Sequence, residues 1–412
     1  MEKALNTPAL IPKALNKHLH WLYLLLAPVA LVAPIMLPYF IGVLILLEFF
    51  ISGIKFDEIH QFNRRQIWLM LPVLIIAGSC IWGVNTTHSL NTAGPLSVII
   101  MSTSAYILAL RQLKPSHFTS RLKLLLVGTA IAITMLLINQ VIGEPLQAYK
   151  NASTGAVYTK FSVFLNVVFW ASFFLFKQFK IRLLISAVTA AILIVADCEG
   201  CIAGFAIGFI TFMAASWRPT AVAKLLRITV PAAVIAFPLL MSQLTVDHIQ
   251  EFQEVVQDIS ATHRLYIWRN MSKQIFERPI LGFGLNTTRL QIHPWEHQQI
   301  TFKDDGRYVT QDSSLKPLHP HNFAIQIWLE LGIFGFCLLL IILDRIINRL
   351  KSMQYRDITL PVFTTMGTML AVNFSLWQTW LMATIAFGLT IIFACIGEGV
   401  KNEDKESASI PA

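Results

Sequence analysis

Apolar runs of about 17 to 25 residues recur from Trp21 to Cys395, and this recurrence is what most narrows the folds open to the chain. About 20 such residues, wound as a helix, cross the roughly 30 Å of a bilayer's hydrocarbon. Trp21 to Ile54 is interrupted by Pro28, Pro34 and Pro38, too long for one helix and suited to two closely joined ones. Further spans are expected near 66–84, 94–111, 122–143, 158–178, 181–196, 200–216, 224–241, 323–348, 358–375 and 377–396. The expectation is an all-α polytopic membrane protein of about twelve transmembrane helices. Composition agrees: 55% of residues are hydrophobic and 13% charged, about half the charged share of a soluble domain.

The net charge of +9 raises the question of nucleic acid, and the placement of the basic residues answers it. They form no groove with interleaved aromatics. Of 32 Lys and Arg, 22 fall in alternate short connections and the two tails, whereas the short connections between them hold only Lys150 and Lys160. The positive-inside pattern then puts both termini in the cytoplasm and the long polar segment 242–322 outside. The expected organisation is a bundle of about nine helices over 1–241, the outer loop 242–322, C-terminal helices over 323–398 and a disordered cytoplasmic tail, 399–412.

The first apolar run is too long for a cleaved signal and lacks a small-residue cleavage site, so it is expected to stay as an anchor. Five cysteines are too scattered for a disulfide framework. Cys198 and Cys201 form a C-x-x-C at an expected helix end, without the βαβ context of a redox motif.

Polar chemistry is concentrated in the long loop. Thr245 to Gln257 has helical spacing and suits a short helix along the membrane surface. Arg264 and Trp268 stand four apart, on one face of a second helix with Arg269 beside them, either as interfacial anchors or as ligands. Gly282-Phe-Gly284 after Arg278-Pro279 reads as a turn, without the Lys of a phosphate-binding loop. His319-Pro320-His321-Asn322 precedes an apolar helix. One imidazole there suits proton removal from a sugar hydroxyl, and Asn322 suits a helix cap or a partner for an imidazole. No carboxylate or thiol stands at ligand spacing, so no metal is expected. Lys160, Glu144, Asp197 and Glu199 lie at the outer ends of other spans, where charge marks either a site or solvated capping. Arginine and lysine converging on one outer pocket would suit a diphosphate.

In order and spacing, Arg264 and Trp268, then Glu277-Arg-Pro-Ile-Leu-Gly-Phe-Gly284, then His319-Pro-His-Asn322 and Glu330-Leu-Gly-Ile-Phe-Gly335, resemble the O-antigen ligase and O-antigen polymerase superfamily. The resemblance is specific over about 260 to 336. It implies a bacterial inner-membrane glycosyltransferase with a large periplasmic loop. Such an enzyme moves a glycan from undecaprenyl diphosphate to a hydroxyl of the lipid A core (ligase) or of another carrier-linked glycan (polymerase), without metal or cofactor. A protein O-oligosaccharyltransferase is a further member of that chemistry. Carried onto this chain, the resemblance implies Arg264 as a donor diphosphate ligand, with Lys160, Arg269 and Arg289 as further candidates. It makes His321 or His319 the base, with Asn322, Trp268 and Glu199 in support. One departure stands out: where many members carry a Ser-Arg pair, this chain has Cys198-Glu199-Gly200, and Lys160 is expected to supply the missing charge. A flippase for a lipid-linked substrate is the rival of another class. It would favour internal symmetry and charges near the midplane, whereas this chain gathers its charges at one face.

Overall fold

The structure, a computed structural model, describes residues 13–52, 57, 70–112, 115–150, 154–256, 258–290, 299–304, 307–312, 317–351, 353 and 355–408. The expected basic residues Lys3, Lys55, Arg64, Arg65 and Lys114 lie outside them. The first apolar stretch does divide in two. α1 (Lys13–Val32) stops at Ala33, and a single turn of 3₁₀-helix, Pro34–Met36, leads into α2 (Leu37–Ser52). Pro34 has no N–H to continue α1, but its fixed φ suits the first position of a new helix.

There follow α3 (Met70–Trp82), α4 (Thr86–Gln112), α5 (Pro115–Val141), a short α6 (Pro145–Lys150), α7 (Thr154–Ser172), α8 (Phe179–Val195), α9 (Glu199–Trp217) and α10 (Pro219–Gln243). After the polar segment come α13 (Phe323–Lys351), α14 (Arg356–Val372) and α15 (Thr379–Ala408). Among the described residues seven helices are long and apolar enough to cross a membrane, within α2, α4, α5, α9, α10, α13 and α15; Leu19–Val32 and Leu71–Trp82 are shorter apolar helices. The other expected spans coincide with α7, α8 and α14. α15 runs on to Ala408, into the segment expected as a disordered tail. Glu, Lys and Ala there are good helix formers and extend a helix already nucleated.

The described part of the polar segment holds two helices, α11 (Val246–Val256) and α12 (Ile259–Ile275), a 3₁₀ turn (Thr287–Leu290) and one antiparallel hairpin, β1 (Gln299–Asp304) with β2 (Arg307–Asp312), in which Gln299 pairs with Asp312. The all-α class holds around that hairpin.

The helices approach closely where side chains are small. A Cβ at Gly128 would strike the Leu24 carbonyl of α1, and Cβ atoms at Gly204 and Gly208 would strike Met369 and Thr365 of α14. Close backbone approach of this kind holds helices together where lipid removes much of the hydrophobic drive. Polar bonds add to it: Trp170 Nε1 donates to Thr365 Oγ1 at 3.0 Å, and Thr364 Oγ1 to Thr211 Oγ1 at 3.0 Å. The largest core joins α1, α2, α4, α5, α7, α8, α9, α14 and α15 around Tyr23, Phe164, Trp170 and Phe387. Inside it Arg121 makes a two-pronged pair with Glu48 (2.7 and 2.9 Å), which also accepts from Tyr23 Oη at 2.8 Å. That pair lies on α2 and α5.

Candidate active site

Asp258 starts α12 by accepting the Ala261 N–H at 2.8 Å, the usual service of an Asp at a helix N-terminus. The helical spacing of Arg264 and Trp268 then aims both at neighbouring elements. Arg264 Nη2 meets Glu199 Oε2, in the first turn of α9, at 3.0 Å, and Trp268 Nε1 donates to the Pro320 carbonyl at 2.9 Å while its ring meets Phe237 edge-on. α12 thus ties α9 to the His-Pro-His-Asn segment. Arg269 faces elsewhere: it is buried, with Nε on the Leu244 carbonyl (3.0 Å) and Nη1 on Asn270 Oδ1 (2.6 Å), and it anchors α12 to the end of α10.

Asn322 is the cap of α13. Its Oδ1 accepts from the N–H groups of Ala324 and Ile325, both at 3.0 Å, and its Nδ2 donates to the Ala371 carbonyl at the end of α14. The cap positions the two imidazoles that precede it, whose rings lie 4.1 Å apart. His321 adopts a left-handed backbone, φ 53°, and its N–H reaches His319 Nδ1 at 3.3 Å. His321 Nδ1 stands 2.9 Å from the Asn373 carbonyl, which can only accept, so Nδ1 carries the proton and Nε2 presents a lone pair. In His319 the reverse holds: Nδ1 accepts, and Nε2 carries the proton.

Burial first, then His321 and Arg289, pushes His319 down to about 3. Burial likewise pushes His321 down to about 4, opposed by the Asn373 hydrogen bond and reinforced by Arg264 and His263. These mutual influences group Arg264, His263, His319, His321 and Arg289 at one end of the bundle, with Glu199 as Arg264's acidic partner. Lys160 stands at the rim, half-buried. Its Nζ lies 5.7 Å from the ring of Trp380, which packs edge-on against Phe374, the neighbour of Asn373.

The two glycine-bearing motifs meet as one structure. α13 breaks at Gly332, whose φ of 64° suits glycine. The carbonyls of Leu329 and Glu330 at that break accept the N–H groups of Phe283 (3.0 Å) and Gly284 (2.8 Å), and the Ile333 N–H goes back to Pro279 (2.9 Å). Gly284 lies so close to Gly83, between α3 and α4, that a Cβ would meet the Gly83 Cα at 2.4 Å. The Gly-Phe-Gly turn is therefore a plug between the α3–α4 corner and the broken helix, more than a simple reversal of the chain. Beyond it the 3₁₀ turn carries Arg289 toward His319.

Cys198 and Cys201 are joined by a disulfide at the start of α9, against the expectation for so scattered a set of cysteines. The first helical turn brings residues three apart together, so the pair needs no larger framework. It staples the turn that presents Glu199 to Arg264 and packs Gly200 on Asn373, where a Cβ would meet Asn373 Cβ at 2.5 Å. Sequence reasoning missed three contributors. His263 is a polar neighbour of Arg264, and Glu330 is the one carboxylate in the apolar stretch 323–343, a recognisable signal. Asn373 acts through its carbonyl, and a carbonyl leaves no mark in the side-chain sequence. Among the described residues no group of three or more His, Cys, Asp or Glu stands together as a metal site.

Apolar helices of spanning length, with arginine and histidine side chains gathered beside them, define a polytopic membrane protein. Residues 183–340, somewhat over a third of the chain, match the family model described as O-antigen ligase. It is 30% identical over 192 residues to a protein of Rickettsia prowazekii (strain Madrid E) provisionally named a polysaccharide ligase, a match that covers 46% of this chain and 45% of the relative. A provisionally named polysaccharide ligase of Rickettsia conorii (strain ATCC VR-613 / Malish 7) is 25% identical over 312 residues, 73% of this chain and 72% of that one. The chain thus spans somewhat under half of the first relative's length and nearly three quarters of the second's. The matched family segment contains Glu199, Arg264, Trp268, Arg269, Arg289, His319, His321, Asn322 and Glu330; Lys160 and Asn373 lie outside it.

Proposed function

We propose that this protein is an O-antigen ligase that transfers a glycan from undecaprenyl diphosphate to a hydroxyl of the lipid A core oligosaccharide. The reaction takes place at the periplasmic face of the bacterial inner membrane, with both termini cytoplasmic and about twelve spans. The observation that carries this reading is the neutral His321, with Nε2 free as an acceptor, among cations. An acceptor hydroxyl oxygen attacks the anomeric carbon, the bond from that carbon to the diphosphate breaks, and the diphosphate leaves with the electron pair. His321 Nε2 takes the hydroxyl proton. Arg264 and Arg289 match the charge that develops on the leaving diphosphate, with His319 Nε2–H as a neutral donor and Lys160 at the rim. In this reading no cofactor or metal enters, because guanidinium groups supply the positive charge.

A free imidazole held near 4 is a weak base at neutral pH. The bound diphosphate supplies the negative charge the site lacks, and an anion beside an imidazole raises its pKa. Donor binding therefore switches His321 into a competent base before the acceptor reacts. Glu199 holds Arg264 in place through their 3.0 Å ion pair. The pair is half-exposed on the glutamate side, so exchanging Glu199 for the diphosphate costs little.

The test is a transfer assay with purified protein in detergent, EDTA present, supplied with carrier-linked glycan and lipid A core. Glycan on the core is the expected result. Lengthening of the glycan on its own carrier would make the protein a polymerase, and movement of the intact lipid-linked substrate without transfer would make it a flippase. Arg264→Lys should raise the KM for donor about tenfold, since an ammonium does not replace a two-pronged guanidinium; an unchanged KM would leave Arg264 as an anchor only.

A further inference from the structure

Glu330 lies in the second turn of α13 and is fully buried, in a helix apolar enough to cross a membrane. A carboxylate at such a position is costly unless every lone pair is served. Its partners here are neutral donors from two different segments. Thr288 Oγ1 donates to Oε1 at 2.5 Å, while the Asn286 N–H and Trp377 Nε1 (2.5 Å) donate to Oε2. Asn286 and Thr288 frame the turn that carries Arg289. Trp377 belongs to the α14–α15 connection, which begins with Asn373, the residue whose carbonyl fixes the His321 tautomer. The same connection is held a turn earlier by Gln326, whose Nε2 donates to Ser375 Oγ at 2.9 Å and whose Oε1 accepts the Leu376 N–H at 3.1 Å.

Asn286, which leads into the 3₁₀ turn, and most of the Asn373 connection lie outside any helix or strand. Asn286 has a left-handed φ of 59°, a conformation that asparagine tolerates but that needs outside support. That support comes from the carboxylate on one side and from α4 on the other, where Asn286 Nδ2 donates to Thr92 Oγ1 at 2.9 Å and Ser89 Oγ to the Leu285 carbonyl at 2.9 Å.

We infer that Glu330 is a positioning residue of the transfer site, a buried carboxylate that locks the Arg289 turn and the Asn373 connection in one mutual register. The inference rests on the functional reading above for its consequence in catalysis, but its structural content stands apart from that reading. Glu330 touches no reacting atom. It sets where the guanidinium of Arg289 stands relative to His319, and where the Asn373 carbonyl stands relative to His321. A glutamine of the same shape presents an NH₂ group where an oxygen accepted; the Thr288 hydroxyl can turn to accept from it, but the N–H groups of Thr288, Asn286 and Trp377 cannot, so at least one of them loses its bond.

The experiment compares full-length Glu330→Gln with the wild type in detergent, by amide hydrogen exchange and by transfer kinetics. Exchange should accelerate in both 284–290 and 373–378 while α1, α2 and α5 keep their protection. Unchanged exchange in either segment would overturn the inference. In the transfer assay kcat should fall about tenfold or more. Arg289→Ala should cost less in the Glu330→Gln background than in the wild type, because the arginine is already misplaced; fully additive effects would assign Glu330 a merely structural role. Should Glu330→Gln fail to fold, Thr288→Val and Trp377→Phe release one segment each. Each should loosen its own segment alone, and a uniform loss of protection across the bundle would overturn the proposal. A wild type without transfer activity would defeat the functional reading, and the exchange data would still decide the role of Glu330.

Discussion

His321 shows how far one side chain's chemistry is set by its neighbours. Burial and the nearby cations hold it and His319 neutral to well below the ordinary histidine range. Two consequences of opposite kind are measurable. The acid limb of kcat/KM reports the free enzyme and should fall near pH 4, whereas the acid limb of kcat reports the donor-bound state and should lie at higher pH. Coincident limbs near 6.5 would remove the proposed switch. For stability, an unfolded histidine binds its proton near 6.5 but the folded pair does not, so stability drops as pH falls from about 6.5 toward 4. The thermal midpoint should therefore fall between pH 7 and pH 5, and fall less in His319→Gln/His321→Gln. His321→Ala itself should abolish transfer while the protein still inserts and folds; wild-type activity in that variant would take the histidine out of the mechanism.

Elements carry the next level of design, and the broken helix α13 is the clearest case. Its glycine permits a break, the break frees two carbonyls, and the Gly-Phe-Gly turn fills them. Gly332→Ala should lower both the thermal midpoint and kcat, since a Cβ there would meet the Ile280 carbonyl at 2.1 Å and the φ is one alanine resists. A variant indistinguishable from wild type would mean the break is not needed. At the start of α9 the Cys198–Cys201 bond makes a countable claim. Thiol labelling of the unfolded, unreduced protein should find the free thiols of Cys80, Cys337 and Cys395, and reduction should add two more. Five thiols before reduction would remove the staple. Sequence reasoning found the helices on either side of these devices from hydropathy, and placed α11 and α12 from spacing. It read Gly282-Phe-Gly284 as a turn, because a turn is local, but the partner 46 to 50 residues on is not written in that turn.

At the scale of the whole molecule, a buried ion pair in the core is separable from the proposed transfer site. The Glu48–Arg121–Tyr23 cluster contributes to the packing of α1, α2 and α5, and breaking a buried ion pair typically costs about 3–5 kcal/mol. Glu48→Ala should therefore lower the thermal midpoint while the folded fraction keeps its kcat; lost kcat with an unchanged midpoint would reverse that division. Apolar runs of spanning length and the spaced motifs of the loop determined by themselves the helical membrane class and the stretch where the polar motifs gather, because both are written in local composition and in intervals along the chain. What only the tertiary structure decided was pairing across distance. Arg269 became an anchor and Arg264 the partner of Glu199 on the same helix, Glu330 became the link between two connections, and a backbone carbonyl of Asn373 chose which imidazole nitrogen carries the proton. Those outcomes depend on which groups meet after burial removes water as a partner, and no interval in the sequence records that.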